Sequence, residues 1–277
     1  MKHTNIDKDV VKDFGSEWSR FDQSDLSAAD QAEMFEGYFH IFAWHSLSLG
    51  SIGADIGYGS GRWASLVAPR VGHLSLVDPS SDALVVARKN LSNVDNVSFH
   101  CSSVDNLSFE EQSLDFAYSL GVLHHVPHTA DAIHSIAKVL KPGAPFLVYL
   151  YYAFDQRPWW FRALWRTSNL LRKLISPMPV PLKHVVCDVI ALLVYLPLAR
   201  TALLLERFRS LPDSWPLAYY RKREYYVMRT DALDRFGTRL EQRFSQHEIE
   251  AMLQAAGFVD IRFSDTQPFW CAVGIKK

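Results

Sequence analysis

The feature that most constrains the fold is a glycine-rich turn that directly follows a short apolar run, Ile52–Ile56. From residue 55 the chain reads Asp-Ile-Gly-Tyr-Gly-Ser-Gly. Glycines at a strand-to-helix turn let the backbone bend tightly and approach a ligand that a Cβ atom would block. Such a turn belongs to a parallel sheet with helical crossovers, and a helix that starts there offers free N–H groups to an anion.

The surrounding chain supports this interpretation, because β-rich runs alternate with helical patterns. The predicted strands are 52–56, 73–77, 97–102, 114–119, 145–151, 259–264 and 269–275. The predicted helices are 61–68, 80–91, 129–140 and 246–256, and the last begins with a capping-box pattern at Ser245 and Glu248. This alternation predicts a doubly wound α/β fold with a parallel sheet covered on both faces. The short link between the last two strands makes them antiparallel.

Two details of the turn indicate the ligand. A dinucleotide fingerprint would place its third glycine at position 62, where this chain has Arg62. Asp55 precedes Gly57 by two residues; its carboxylate would repel a pyrophosphate but attract an ammonium group. Asp78 follows Gly57 by 21 residues and can accept hydrogen bonds from ribose hydroxyls. An amino acid joined to a nucleoside describes S-adenosylmethionine.

On these motifs, residues 52–152 and 245–277 resemble the class I S-adenosylmethionine-dependent methyltransferases. The resemblance is greatest to the branch with Leu-His-His-Val after strand four, here residues 123–126. It implies a seven-stranded, mostly parallel sheet whose last strand is antiparallel, with a helical cap as an insertion. The cofactor-binding residues that it implies are Asp55, Gly57, Tyr58, Gly59, Gly61, Asp78, Pro79, Ser103, Val104 and Leu120.

The adenine-binding stretch, residues 103–107, departs from the family pattern at one position. The usual aspartate that accepts from the adenine amino group is Ser103 here. Ser103 or Asp105 is expected to substitute for it.

Catalytic candidates come from the ends of strands four and five: His124, His125, His128, Tyr151, Tyr152 and Asp155. Among the histidines, His125 is the best candidate for a general base, but its favoured role is a wall of the cofactor pocket, where it lines the floor of the site with Leu120. Tyr151 and Tyr152 lead from the sheet into the cap and are expected to touch the acceptor. No metal site is predicted, since the three cysteines are far apart and are interpreted as buried free thiols.

Three regions are expected along the chain. Residues 1–50 form a helical lid in which 14–21 fold over the cofactor or, alternatively, pack on the sheet edge. Residues 51–152 and 245–277 form the cofactor-binding core. Residues 153–244 form a basic, aromatic-rich helical cap on the acceptor side, and within it 225–238 is either an acceptor-site segment or a structural loop.

The charge is unevenly distributed although the net formal charge is only −1. Residues 157–223 carry +9 and the rest of the chain −10. This asymmetry suggests an anionic partner. The cap is interpreted either as a plain cap with solvated arginines or as a basic amphipathic element at a membrane surface. No nucleic-acid-binding motif accompanies the charge.

The most apolar run, 189–198, contains Pro197 and is shorter than the roughly 20 residues of a spanning helix. No spanning segment is therefore predicted, and the expected location is cytoplasmic, with a peripheral position at the inner membrane face as the alternative.

The predicted function is methyl transfer from S-adenosylmethionine to oxygen or nitrogen of a small-molecule acceptor, anionic or sugar-type. One alternative is a lipid-linked acceptor at the membrane surface. The other is a cofactor-binding module without methyl transfer. The sequence leaves the oligomeric state open.

Overall fold

The computed structural model describes residues 4–154, 157–208 and 215–277. Its strands are β1 Ile52–Ile56, β2 His73–Asp78, β3 Val97–Cys101, β4 Phe116–Leu120, β5 Pro145–Tyr149, β6 Phe258–Phe263 and β7 Cys271–Lys276. Its helices are α1 Lys8–Arg20, α2 Ala28–Phe39, α3 Ala64–Val67, α4 Ser81–Asn90, α5 Thr129–Val139, α6 Trp159–Ile175, α7 Val180–Ile190, α8 Leu196–Glu206, α9 Tyr225–Gly237 and α10 Gln246–Ala255.

The seven strands form one sheet in the order β3-β2-β1-β4-β5-β7-β6. β1 to β5 run parallel, and β7 is antiparallel to both β5 and β6. The predicted fold class is thereby confirmed. The strand order reverses between β1 and β4, so the carboxyl ends of these strands form the crevice in which α/β proteins bind ligands.

Alternating side chains of the central strands face two separate cores. On one face, Ala117 and Phe146 pack in a buried cluster with residues of α5 and α10. On the other face, the rings of Phe39 and Tyr118 lie 5.3 Å apart. Both faces of the central strands are therefore apolar and covered, as a parallel sheet requires.

Three local predictions need correction. The helix predicted for residues 61–68 is only the single turn α3, followed by a 3₁₀ turn at Ala68–Arg70 that contains Pro69. Residues 225–237 form the helix α9 and not a loop. Cys101 is exposed, whereas Cys187 and Cys271 are buried as free thiols.

The chain divides into two compact units. Unit 1 comprises residues up to 23, 31–153 and 240–277 and holds the sheet. Unit 2 comprises 24–30 and 154–239 and is helical throughout its regular elements. The lid, core and cap boundaries expected from the sequence stay predictions.

In unit 2, the helices α6 and α7 both pack against α9. Arg172 Nη1 donates to the carbonyls of Thr238 and Arg239 at 2.8 and 2.7 Å, and Lys183 Nζ donates to that of Gly237 at 3.0 Å. These carbonyls lie at the end of α9, where cations favourably meet the negative end of the helix dipole. Two of the basic cap residues therefore have a structural role.

The structure contains a helical segment that is longer than the apolar run of residues 189–198. α7, a π-helical turn at Ala191–Tyr195 and α8 run on as one helical segment, Val180–Glu206. Pro197 does not end this segment. In an α-helix, proline lacks an N–H donor and clashes with the carbonyl four residues before it, and the wider π-helical turn just before Pro197 accommodates both effects. The segment is long and apolar enough to cross a membrane, by length and composition only.

Candidate active site

The glycine turn is built as the sequence predicts. Gly57, Gly59 and Gly61 all have positive φ angles, of 84°, 53° and 77°. A Cβ atom on Gly57 would lie 2.4 Å from the side chain of Val122. The Gly57 N–H donates to the Val77 carbonyl at 2.6 Å, so the turn is fixed to the end of β2. Both the left-handed backbone and the close neighbour require glycine at this position.

Asp55 is a buried acid with a single neutral partner in the described hydrogen bonds. Its side chain is 1% exposed, and the Tyr118 hydroxyl donates to its Oδ2 atom at 2.9 Å. Asp55 and Tyr118 are register partners on neighbouring strands β1 and β4. Desolvation raises the pKa of Asp55 to about 8, against the opposing effect of the Tyr118 hydrogen bond. A buried carboxyl in this state is suited to a cationic ligand, which would restore its charge.

Asp78 bridges the turn and the start of α4. Its Oδ2 accepts from the Gly59 N–H at 3.1 Å and its Oδ1 from the Ser80 N–H at 2.9 Å. Burial raises the pKa of Asp78 to about 6, although these two hydrogen bonds lower it. A carboxylate has about four lone-pair sites, so two remain for ligand hydroxyls. Pro79 follows directly and leads into the Ser80 N-cap of α4.

The turn also contains unsatisfied polar atoms. Within the described residues, the hydroxyl oxygens of Tyr58 and Ser60 are buried without a hydrogen-bond partner. Buried hydroxyls are nearly always paired in folded proteins. Together with the uncompensated Asp55, they mark a surface that fits the polar groups of a bound cofactor.

The segment after β3 lies against the N-terminal residues. Asp105 Oδ2 accepts from the Asn5 N–H at 3.1 Å, and the Ser103 side chain lies near the same carboxylate. Burial raises the pKa of Asp105, but these polar neighbours outweigh burial, and the pKa is lowered. Val104 is buried at 6% exposure. Asn5 further exchanges hydrogen bonds with the backbone of His128 at 2.8 Å, so it ties this segment to the loop after β4.

The two adjacent histidines follow β4 and Leu120. His125 Nδ1 lies 2.6 Å from the Leu240 carbonyl, an acceptor that places the ring proton on Nδ1 and leaves the lone pair on Nε2. His124 is fully buried, and neither of its ring nitrogens has a partner among the described residues. Burial, and then the neighbouring His125 and Arg243, lower the pKa of His124 well below its usual value. His124 is therefore neutral at physiological pH.

The two tyrosines after β5, Tyr151 and Tyr152, pack against different residues. Tyr151 stacks on His124 with ring centroids 3.8 Å apart. On Tyr151 lies the guanidinium group of Arg243, whose Cζ atom is 4.9 Å from the ring centroid. Tyr152 packs instead on Phe269 and Trp270, at 5.9 and 6.3 Å. The structure brings Tyr151, but not Tyr152, to the histidines. The candidate Asp155 lies outside the described residues.

Aromatic rings connect the glycine turn to the histidines. The ring centroids of successive residues lie 3.8–5.9 Å apart along a path from Trp63 through Tyr38, Tyr149 and Tyr151 to His124. The ring of Phe14 in α1 contacts the ring of His125, with centroids 4.8 Å apart. Trp18 lies against Gly59, since a Cβ atom there would come within 2.7 Å of the indole.

The participants that the sequence interpretation missed include Asn5, Tyr38, Tyr118 and Arg243. Tyr118 could have been found, because β1 and β4 are neighbours in the predicted topology and their registers place it opposite Asp55. The other three depend on long-range packing for which the sequence carries no local signal.

Comparison with known proteins agrees with this geometry. Residues 54–148 match the family model of a methyltransferase domain. Phosphoethanolamine N-methyltransferase 2 of Caenorhabditis elegans is 34% identical over 100 residues, which cover 35% of this chain and 23% of that protein. The ubiquinone biosynthesis O-methyltransferase of Hydrogenovibrio crunogenus is 33% identical over 91 residues, 32% of this chain and 38% of that protein. The chain thus spans less than half the length of these relatives.

Solved structures show the same fold. A Haloferax volcanii methyltransferase solved in complex with the activator Trm112 has a TM-score of 0.54 at 16% identity and covers 96% of each chain. The YcgJ protein of Bacillus subtilis has a TM-score of 0.50 at 18% identity, over 85% of this chain and 70% of its own. The domain match agrees with S-adenosylmethionine as the cofactor predicted from the glycine turn. The chain has the class I methyltransferase fold, and residues 54–148 match the family model of a methyltransferase domain.

Proposed function

We propose that the chain is an S-adenosylmethionine-dependent methyltransferase of the Leu-His-His-Val branch that methylates oxygen or nitrogen of a small-molecule acceptor. The observation that carries the proposal is Asp55, a buried carboxyl beside a three-glycine turn inside the matched domain. The curated relatives support a small acceptor, because their names specify an N-methyltransferase for phosphoethanolamine and an O-methyltransferase of ubiquinone biosynthesis.

The chain's own residues would hold the cofactor at three points. Asp55 would accept the ammonium group of the methionine part, with Tyr118 keeping the carboxyl in place. Asp78 would accept from the ribose hydroxyls through its remaining lone pairs. Ser103 and Val104 would flank the adenine, and Leu120 would form the floor beside it.

When bound, S-adenosylmethionine supplies a methyl group activated by the positive charge on its sulfur. The protein's main task is then to align the acceptor and exclude water. The rings of Tyr38, Tyr149 and Tyr151 provide the wall for this purpose. For a hydroxyl or ammonium acceptor, His125 Nε2 carries the lone pair that would take the proton.

Helix α1 would act as a lid over the same site. Trp18 lies on Gly59 and Phe14 on His125, so both ends of the proposed reaction site are in contact with α1. A lid of this kind excludes water from the reacting groups.

A screen of small-molecule acceptors scored by S-adenosylhomocysteine release tests the proposal. The expected result is turnover with an oxygen or nitrogen acceptor, reduced about 10²-fold or more in His125→Ala if His125 is the base. Turnover that His125→Ala leaves unchanged would restrict His125 to a pocket wall. Cofactor binding without turnover on any acceptor would favour the binding module.

A lipid-linked acceptor is the second candidate. It is favoured by the long apolar helical segment of unit 2, whose side chains are largely exposed. The acceptor screen separates the two candidates when it includes both soluble compounds and the same headgroups on lipid chains.

A further inference from the structure

The long helical segment of unit 2, Val180–Glu206, is apolar on its exposed side as well as on most of its buried side. Its buried positions recur every three or four residues and include polar side chains: Lys183, Cys187, Ala191, Tyr195, Ala199 and Ala202. Its exposed positions between 182 and 193 are aliphatic: Leu182, Val185, Val189, Leu192 and Leu193, at 46–67% exposure. A helix at the surface of a protein normally has polar side chains on its exposed side, with its apolar stripe packed on the protein.

Helix α6 repeats this pattern. Its apolar side chains Trp160, Leu164, Leu171 and Leu174 follow helical spacing and are 38–67% exposed. Its inward side carries Arg172, which is bound to carbonyls at the end of α9. Both helices pack on α9, so both apolar stripes lie away from it. Exposed apolar surface of this extent marks an interaction site.

Cations accompany the apolar stripes. Arg162, Arg166 and Lys173 repeat along α6 with the spacing of one helix face, and Arg207 follows α8. All four are exposed, and in the part of the chain that the structure describes none has an ion pair. Other basic residues nearby are engaged, since Arg221 and Lys222 pair with Glu206, and Arg223 pairs with Asp30. Uncompensated positive charge therefore lies along one edge of the exposed apolar surface of α6 and just beyond the end of α8.

We propose that the exposed face of α6–α8 binds the surface of an anionic lipid bilayer, with the helices lying in its interface. Leucine and tryptophan side chains would enter the boundary of the acyl chains, and the arginines and Lys173 would contact lipid phosphates.

A spanning arrangement of Val180–Glu206 is disfavoured by the charged contacts that the segment makes with the end of α9 and with Arg229. Asp188 forms a two-pronged ion pair with Arg229, at 3.0 and 3.1 Å, and Lys183 binds the Gly237 carbonyl. A spanning helix would have to break these contacts and place both charges in hydrocarbon. In-plane binding leaves them intact.

Flotation of the full-length protein with vesicles tests the proposal. The protein should float with phosphatidylcholine vesicles that contain phosphatidylglycerol, and less with phosphatidylcholine alone or at high salt. The double variant Leu164→Gln/Leu171→Gln should reduce binding about tenfold or more. Arg166→Glu/Lys173→Glu should reduce it about tenfold at low salt.

Matched controls come from exposed residues of unit 1. Val85→Gln, at a side chain 70% exposed, and Lys138→Glu, on the exposed side of α5, should leave flotation unchanged. Circular dichroism of each variant reports whether its helices remain folded.

Four results would overturn the proposal or its in-plane arrangement. The first is no flotation of the folded wild type on anionic vesicles. The second is equal flotation of wild type and face variants. The third is a wild-type dimer in sedimentation that the leucine variant converts to monomer, which would make the face a contact between two copies. Resistance of vesicle-bound protein to alkaline carbonate extraction would instead contradict the in-plane arrangement.

Discussion

At the scale of single residues, the proposed cofactor site depends on Asp55. Its carboxyl is held in a dry site next to Tyr118, and desolvation raises its pKa to about 8. Near neutral pH the ligand-free protein therefore keeps this carboxyl mostly protonated. A cationic ligand favours the ionised form, so binding is coupled to the release of a proton.

This coupling makes cofactor affinity depend on pH. The affinity for S-adenosylmethionine should rise by up to about tenfold per pH unit as the pH approaches 8 from below. Calorimetry in buffers of different ionisation enthalpy should detect proton release on binding. Affinity that is independent of pH would argue against an ammonium partner for Asp55.

The same carboxyl should cost stability in the absence of ligand. Its pKa of about 8 in the folded state exceeds the ordinary value of 3.8, so the folded protein binds the extra proton between these values. The free energy of unfolding then falls as the pH rises through this window. Asp55→Asn should make that fall smaller by at least about 1 kcal/mol. Urea unfolding of both proteins across this pH range measures the difference, and parallel pH profiles would refute it.

At the scale of elements, the turn between β1 and α3 combines two requirements on Gly57. Its φ angle is 84°, and a Cβ atom would meet Val122 at 2.4 Å. Gly143 has the same φ angle, and a Cβ atom added there would meet nothing within 4 Å. An alanine at position 143 therefore has only the energetic cost of the left-handed backbone, without a steric clash.

Gly57→Ala should therefore destabilise the protein more than Gly143→Ala, which should cost about 1–2 kcal/mol. The excess comes from the contact with Val122, and Val122→Ala in the Gly57→Ala background should recover part of it. Thermal unfolding of the three variants checks the order. Equal losses for the two glycine variants would show that Val122 moves without cost.

Helix α1 supplies the second prediction at this scale. Trp18→Ala should weaken S-adenosylmethionine binding by roughly 0.5–1.5 kcal/mol through the lost aromatic contact, and Trp18→Phe should restore most of it. Isothermal titration measures both variants. Unchanged affinity in a folded Trp18→Ala protein would mean that α1 only packs on the sheet edge.

At the scale of the whole molecule, the chain consists of two units with different surfaces. The proposed cofactor residues all belong to unit 1, and the exposed apolar helices belong to unit 2. The near-zero net charge conceals this division, because residues 157–223 alone carry +9.

The sequence predicted the sheet well because each strand carries its own signal. The alternation of β-rich and helical runs, with glycines at the first turn, specifies a doubly wound sheet without knowledge of distant contacts. The same local information could not show that Tyr152 packs on Phe269 and Trp270 while Tyr151 turns to His124. Nor could it show which side of Val180–Glu206 is exposed, since periodicity gives the stripes of a helix but not their direction.

Hydrogen exchange tests the assignment of the cofactor to unit 1. S-adenosylmethionine should slow exchange at the amides of the glycine turn and of Asp78 and Ser80, without slowing it in α6 to α8. Slowed exchange confined to unit 2 would place the cofactor outside the predicted site.

The most direct test of the central claim is calorimetric titration of S-adenosylmethionine into the wild type and Asp55→Ala. Removing the charged hydrogen bond should lower the binding free energy by ~1.5–3 kcal/mol, whereas the exposed control Asp95→Ala should bind like the wild type. Absence of binding to the folded wild type, or equal binding to a folded Asp55→Ala protein, would contradict the assignment of Asp55 to the cofactor.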